Sequence, residues 1–530
     1  MTTNFTWDFP YPSHRTPLLA RSAVATSQPL AAQAGLRMML RGGNAVDAAL
    51  AAAITLTVVE PVSNGIGSDA FALVWDGGQL HGLNASGRAP RGWSPEYFAC
   101  REAMPLTGWN TVTVPGAVSA WVTLSQRFGK LAFADLFEPA IEYASRGFAV
   151  SPTVAGQWQR QVDGLREAPG FAAAFMPRGR ASMAGERFAF PDQGRTLHLI
   201  AESGGEAFYR GELAEKMVAH SEAYGGTMAL ADLADHRVDW VDPIDKDYRG
   251  HRIHEIPPNG QGIAALMALG MLEHFDISAL AVDSPDSLHV QIEAMKLAFA
   301  DVYRHVADPK HMPVDSADLL APEYLAERAR LIDPRRAQEF GHGSPPRGGT
   351  VYLTAADASG MMVSLIQSNY MGFGSGVVVP GTGISLQNRG ACFSLAQGHP
   401  NQVAGGKRPF HTIIPAFVTR NGKPLMSFGV MGGDMQPQGH TQIMIRLADY
   451  GQNPQAACDA PRWKVMRDFS VAFEAAVPQA TKAELARRGH RIADIGSSYM
   501  DFGAGQFIYC LDDGYLAASD PRRDGQAVGF

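Results

Sequence analysis

Residues Pro345–Gly360 read PPRGGTVYLTAADASG, a loop of proline, arginine and glycine set directly against a β-rich run, with Thr350 at the junction. Glycine accepts backbone conformations closed to other residues and often punctuates the start of a strand, which accounts for Gly348 and Gly349. It leaves the hydroxyl unexplained. Two local readings stand: Thr350 is the first residue of a strand, or it is a nucleophile that becomes N-terminal when the bond after Gly349 is cut. In the second reading the freed α-amine, with an unperturbed pKa of about 7.7–8.0, is a general base beside its own hydroxyl. The same hydroxyl makes the cut by attacking the Gly349 carbonyl, and the upstream glycines permit the bend.

Outward from this junction the texture changes. Downstream come short β-rich runs separated by turns (TVYLTAA, MMVSLIQS, PAFVTRNGKPLMSFGVM), a helix near 438–450 and a closing hairpin, GQFIYCLDDGYLAAS. Upstream, residues 110–340 read as mostly helical, with GQGIAALMALGMLEHF and PDSLHVQIEAMKLAFADVYRHV carrying apolar residues at helical spacing. Nearer the N-terminus, residues 29–60 read as two helices parted by Gly42 and Gly43, the second capped by Asn44. Asp76–Gly78 then marks a hairpin, with which a sheet edge is expected to begin.

The totals exclude several classes. With 530 residues, 46% hydrophobic and 18% charged, the chain reads as a globular enzyme-sized protein rather than a disordered one. A net charge of −7 without a block of like charge suggests neither nucleic acid nor an anionic membrane as partner, and favours a small-molecule substrate. The 4 cysteines are far apart with no CxxC pair, which argues against a zinc knuckle or a disulfide framework. No apolar run follows a basic start, so a cytoplasmic location is expected. The apolar stretch Ala48–Val59 is shorter than the ~20 residues that span a bilayer and reads as a buried helix.

Walker A, HExxH and GxSxG sequences are absent. GQGIAA at Gly260 follows IPPN, where prolines disfavour a buried parallel strand, so it reads as a helix start rather than a dinucleotide fingerprint. Gly432 and Gly433 follow an apolar run and precede a helix. They read either as a plain turn or as amides for an oxyanion hole, worth ~3–4 kcal/mol per donor. His440 reads as an exposed polar residue rather than an acid–base group, and no local spacing makes it or His411 a metal ligand.

Taken together, the blocks GGNAVDAALAAAITLTVVEP, IEAMKLAFADVYRHVADP, TVYLTAADASGMMVSL, FGSGVVVPGTGISLQN, KRPFHTIIP and GVMGGDMQPQGH resemble, in order, the γ-glutamyltransferase (glutathione hydrolase) family of N-terminal nucleophile hydrolases. The likeness runs from about residue 17 to 525. It implies an α/β four-layer αββα sandwich, made as one precursor that cuts itself between Gly349 and Thr350 into a large subunit, 1–349, and a small subunit, 350–530. By the same resemblance Thr350 is the self-cleaving nucleophile and Ser368 a second hydroxyl bonded to it. Gly432 and Gly433 supply the oxyanion amides. Thr412 falls on the second of two serines that contact the substrate α-carboxylate, and His411 replaces the first. No metal or organic cofactor is called for, and a homo-oligomer is left open.

Departures from the family pattern concern the substrate. Ser86 stands where the family has a carboxylate-binding arginine, with Arg88 two residues on. In an extended strand that shift keeps the same face, moved by about 6.6 Å, so Arg88 is expected to reach the acyl pocket from a different angle. Tyr370, Arg389 and Cys392 replace the groups that hold a γ-glutamyl α-ammonium, and Arg389 would repel one. The expected activity is amide hydrolysis or acyl transfer, either on γ-glutamyl groups or on glutaryl-like acyl groups that carry a carboxylate but no α-amine. The alternative is a processed or unprocessed protein that binds an anionic metabolite without turnover. The short segment from CFSLAQGHP to GGKRP implies an open site.

Overall fold

Asn44 starts a helix because its side chain accepts from the Asp47 amide while Asp47 reaches back to the Asn44 N–H, a reciprocal cap for two amides the helix leaves bare. That helix, Ala45–Val59, is buried along its length, and Pro29–Leu40 packs on it with Gly35 at the contact. A Cβ on Gly35 would lie 2.8 Å from the Ala48 carbonyl oxygen, so the small residue sets how closely the two backbones approach. The expected pair of helices parted at Gly42–Gly43 is present.

The computed structural model describes residues 10–12, 15–338, 340, 349–495 and 499–530. The loop expected to bend at Arg347 and Gly348 lies outside them. Among the described residues two seven-stranded antiparallel sheets face each other. One runs, in spatial order, Gln526–Gly529, Ala23–Thr26, Gly349–Ala356, Met362–Tyr370, Asp69–Trp75, Leu80–Asn84 and Asp239–Val241. The other runs Leu18–Ala20, Tyr515–Ser519, Ala504–Cys510, Lys423–Met431, Ala416–Arg420, His251–Glu255 and Ile244–Tyr248. Both sheets interleave strands from before and after Thr350.

Strand alternation divides the side chains between two cores. Val351 and Leu353 face the helices Pro29–Leu40 and Ala45–Val59, while Tyr352 faces the other sheet with Phe71, Ile366, Phe417 and Ile508. On the far side Val418, Phe428 and Val430 pack under the helices Ile263–Leu272, Pro285–His305 and Met435–Ala448. The result is the expected four-layer αββα sandwich.

One expectation needs correction and another an addition. The hairpin turning at Asp76–Gly78 is present, with Trp75 opposite Leu80, but Asp239–Val241 covers its outer strand and takes the edge. Residues 110–340 are mostly helical as expected, with the addition of the hairpin Ile244–Tyr248/His251–Glu255 that interrupts them. Its segment IDKDYRGHRIHE is rich in charge and short of apolar residues, so it carries no clear strand signal, and pairing with Ala416–Arg420 supplies the burial of Ile253 that a lone hairpin lacks. GQGIAA does start the helix Ile263–Leu272.

Candidate active site

Gly349 pairs with Tyr370 and Val351 with Gln367, so Ser368 and Asn369 together oppose the single residue Thr350. Such a bulge breaks the ladder and re-aims side chains locally. Tyr370 absorbs the extra length in a left-handed conformation, φ 76°, and its amide donates to Ser368 Oγ at 2.7 Å. Thr350 Oγ1 lies 3.2 Å from Ser368 Oγ and 3.3 Å from Gln436 Nε2. The Gln436 amide orientation follows from its other end, where Oε1 accepts from the Ile414 N–H at 2.9 Å. Gln436 therefore donates to Thr350, and the Thr350 and Ser368 hydroxyls share the remaining hydrogen bond, in which either can donate. Sequence reasoning assigned no role to Gln436, although it sits inside the GGDMQPQGH block.

Gln436 lies in the first turn of Met435–Ala448, and the two glycines lie just before it with φ 124° at Gly432 and 62° at Gly433. Only glycine takes this pair of conformations without strain. The Gly432 and Gly433 carbonyls accept from Met435 and Gln436, and Gln261 Nε2 bonds both the Gly433 and Thr412 carbonyls. Among the described residues neither glycine N–H donates to another protein group. The strand-to-helix turn thus presents two uncommitted amides beside a buried hydroxyl, an arrangement suited to stabilising a developing oxyanion.

Arg389 is fully buried. Its guanidinium stacks 4.4 Å from the Tyr370 ring, and Nη1 donates to Thr412 Oγ1 at 2.8 Å and to Cys392 Sγ at 3.8 Å. Nε and Nη2 have no partner among the described residues. These two atoms form one edge of the guanidinium plane, the fork that receives a carboxylate through two parallel bonds. Tyr370, Arg389, Cys392 and Thr412 are thus brought together, joined to Thr350 through the Gly349–Tyr370 pair.

Other expected residues are engaged elsewhere. Arg88 is half-exposed and binds Asp308 at 3.3 Å and the Gly406 carbonyl at 3.2 Å, so its charge is held at the rim and not beside Arg389. Ser86 joins Asn84 and Asn259 in a buried amide network. His411 offers no donor to a substrate: Nε2 is 3.1 Å from Asp69 Oδ2, and Nδ1 accepts from the Ile413 N–H. Burial holds its pKa well below the ordinary histidine value. His440 is buried rather than exposed, wedged between Glu255 at 2.6 Å and the Val430 N–H, and burial lowers its pKa to about 3. Nor is the site open, since Thr350 is 1% and Arg389 0% exposed. The 393–408 segment folds back through Asn401, which bonds the Cys392 carbonyl and the Phe410 amide. Asp69 was not singled out from the sequence, though an acid between IGS and the apolar AFALVW was the available signal.

Two seven-stranded antiparallel sheets between helical layers, with a buried hydroxyl at the head of an inner strand that accepts from Gln436 on the helix after a two-glycine turn, are the architecture of an N-terminal nucleophile hydrolase. A family model described as gamma-glutamyltranspeptidase matches residues 31–530, and the chain belongs to that family. It is 36% identical over 523 residues to the glutathione hydrolase-like YwrD proenzyme of Bacillus subtilis, covering 96% of this chain and 98% of that one. It is also 36% identical to the oxamate amidohydrolase proenzyme of Klebsiella pneumoniae, over 94% of this chain and 97% of the relative. The crystal structure of a cephalosporin acylase from Bacillus halodurans superposes with a TM-score of 0.94 at 48% identity, covering 99% of both chains. The protein is an amidohydrolase or acyltransferase of the self-processing N-terminal nucleophile type.

Proposed function

We propose that Thr350 is the nucleophile and that the enzyme hydrolyses amides of acyl groups bearing a carboxylate and no α-amine. Maturation begins when Thr350 Oγ1 attacks the Gly349 carbonyl, converting the peptide bond to an ester. Water then cleaves the ester, giving subunits 1–349 and 350–530 and freeing the Thr350 α-amine. In turnover that amine takes the hydroxyl proton as Oγ1 attacks the substrate amide. The Gly432 and Gly433 amides stabilise the tetrahedral oxyanion, the amine leaves with the proton, and water releases the acid.

The observation that carries the substrate class is the open Nε–Nη2 edge of a buried Arg389 with no carboxylate paired to it. A substrate carboxylate supplies the missing acceptors, whereas an α-ammonium would face a like charge in a low-dielectric site. The names of two relatives agree with an anionic acyl group or an acylase chemistry: oxamate carries a carboxylate next to its amide, and the structural relative is a cephalosporin acylase. γ-Glutamyl transfer is the second reading, favoured by relatives named glutathione hydrolase.

Denaturing electrophoresis tests the cut. Wild-type protein is expected as two bands of roughly two-thirds and one-third of the mass, and Thr350→Ala as one band; a wild-type chain that never splits overturns the mechanism. Comparing γ-glutamyl and glutaryl p-nitroanilides tests the substrate. Faster release from the glutaryl compound is expected, and a strong preference for the γ-glutamyl one refutes the role of Arg389.

A further inference from the structure

Asp69 is a fully buried carboxylate that the reaction above does not use. In strand register it stands directly opposite Ser368, the hydroxyl that contacts Thr350. Oδ1 accepts from the Gly87 N–H at 3.2 Å and the Gly116 N–H at 3.1 Å, and Oδ2 accepts from His411. The hydrogen on the imidazole is assigned by its neighbours. Nδ1 receives the Ile413 N–H, so a neutral His411 carries its proton on Nε2 and donates it to Asp69. The next residue, Thr412, accepts from Arg389. Carboxylate and guanidinium are thus neighbours across one dipeptide, yet they form no ion pair, and the fork of Arg389 stays open.

We propose that Asp69 is the resident counter-charge of Arg389, and that binding a carboxylate-bearing acyl group at Arg389 is coupled to proton uptake by Asp69. The proposal rests on Arg389 as the anion anchor. Among the described residues, His411 touches Asp69, and Arg389, Arg408 and Tyr209 interact with it electrostatically. His411 stays neutral because burial lowers its pKa. Tyr209 is kept neutral by burial, and its hydroxyl donates to the Pro115 carbonyl. Arg408 is already paired with Asp239. Of these four groups, Arg389 is the one whose charge is cancelled when an anion binds at its open edge.

Burial pushes Asp69 up to about 6 even while Arg389, the two glycine amides and Arg408 pull it down. An incoming carboxylate removes the Arg389 contribution and adds a like charge, so the Asp69 carboxyl rises further. Between the free and bound values the complex holds more protons than its parts. Affinity for an anion is therefore greatest below about pH 6 and declines as the pH rises, whereas a neutral acyl group is not subject to this coupling. In sequence terms Asp69 and Arg389 act as a pair: the acid discharges the pocket when it is empty and is itself discharged when it is filled.

The test uses the processed enzyme and two substrates of equal size, glutaric mono-p-nitroanilide and its terminal primary amide, between pH 5.5 and 8.5. Both need the same free α-amine at Thr350, so that dependence cancels in the ratio of their kcat/KM values. The acid-to-amide ratio is expected to fall about tenfold across this range in the wild type, one unit of pKa coupling being a factor of ten, and to be flat in Asp69→Asn. A ratio that is large but constant in the wild type, or one that slopes equally in the variant, overturns the proposal. A ratio near one at every pH instead overturns the reading of Arg389. Should Asp69→Asn fail to mature, calorimetric titration of the wild type with glutarate at pH 7 in two buffers of different ionisation enthalpy gives the proton count directly. Net uptake is expected, and binding without uptake refutes the coupling.

Discussion

At the scale of single residues the site is governed by which polar atoms are already engaged. Arg389 spends Nη1 on Thr412 and Cys392 and keeps its bidentate edge, which makes the planar fork rather than the charge alone the specific feature. Arg389→Lys retains the charge and loses the fork. Hydrogen bonds to charged groups contribute ~1.5–3 kcal/mol, so kcat/KM for the glutaryl anilide is expected to drop roughly 10- to 100-fold, while the neutral primary-amide analogue changes much less. Steady-state kinetics with both substrates checks this; equal losses on both would assign Arg389 a structural role. These residue types were legible in the sequence, because Tyr370, Arg389 and Cys392 stood out against the family pattern. The open edge was not, since it depends on Thr412 arriving from a loop 23 residues further along the chain.

Elements position these residues, and two local devices do most of it. The bulge opposite Thr350 places two residues of Met362–Tyr370 against one of Gly349–Ala356, and the turn at Gly432–Gly433 leads into the helix whose Gln436 donates to Thr350. Gly433→Ala puts a Cβ on a residue with φ 62°, a conformation that costs a non-glycine residue roughly 1–2 kcal/mol. The expected outcome is a kcat reduced by about 10- to 100-fold with KM little changed, because the oxyanion is bound only along the reaction path. A variant with unaltered kcat would leave this turn without a catalytic part. The helix after the turn and the strand before it were both readable from apolar patterning, as were the glycines. The bulge was not readable, for it lies at the polar end of its strand, where Gln367, Ser368 and Asn369 leave no apolar alternation that an extra residue would break.

Across the whole molecule, burial has made several histidines unable to accept a second proton. His490 shows the logic: Lys296 donates to its Nδ1 at 3.1 Å, its Nε2 meets His289 Nδ1 at 2.8 Å, and His289 Nε2 lies 2.8 Å from the Asp333 carbonyl oxygen. A lysine that only donates and a carbonyl that only accepts force every proton to point one way, with both rings neutral. Burial and the Lys296 charge lower His490 to about 2. Its unfolded value is about 6.5, so the stability it contributes is complete above pH 6.5 and is lost progressively as the pH falls toward 2. The thermal midpoint is expected to fall on acidification below pH 6.5, and His490→Gln, which has no titrating group, should show a shallower slope. Parallel slopes in calorimetric scans would contradict the assignment. Raised carboxyls such as Glu255 work in the opposite direction, since the native state takes up their protons first.

By itself the sequence determined which segments are strand-rich and which helical, through apolar patterning, while its collinear family blocks implied the four layers and singled out Thr350 behind its two glycines. It also singled out the residues that differ around the acyl group. Only the tertiary structure decided which of them meet: it drew Arg88 to Asp308, tied His411 to Asp69, and left one edge of Arg389 open beside Tyr370. The reason is physical. Patterning reports which face of an element is buried, a property of neighbours a few residues apart. Hydrogen-bond vacancies and buried charges depend on partners hundreds of residues away, such as Asp69 and His411, which come into contact only when both sheets are assembled.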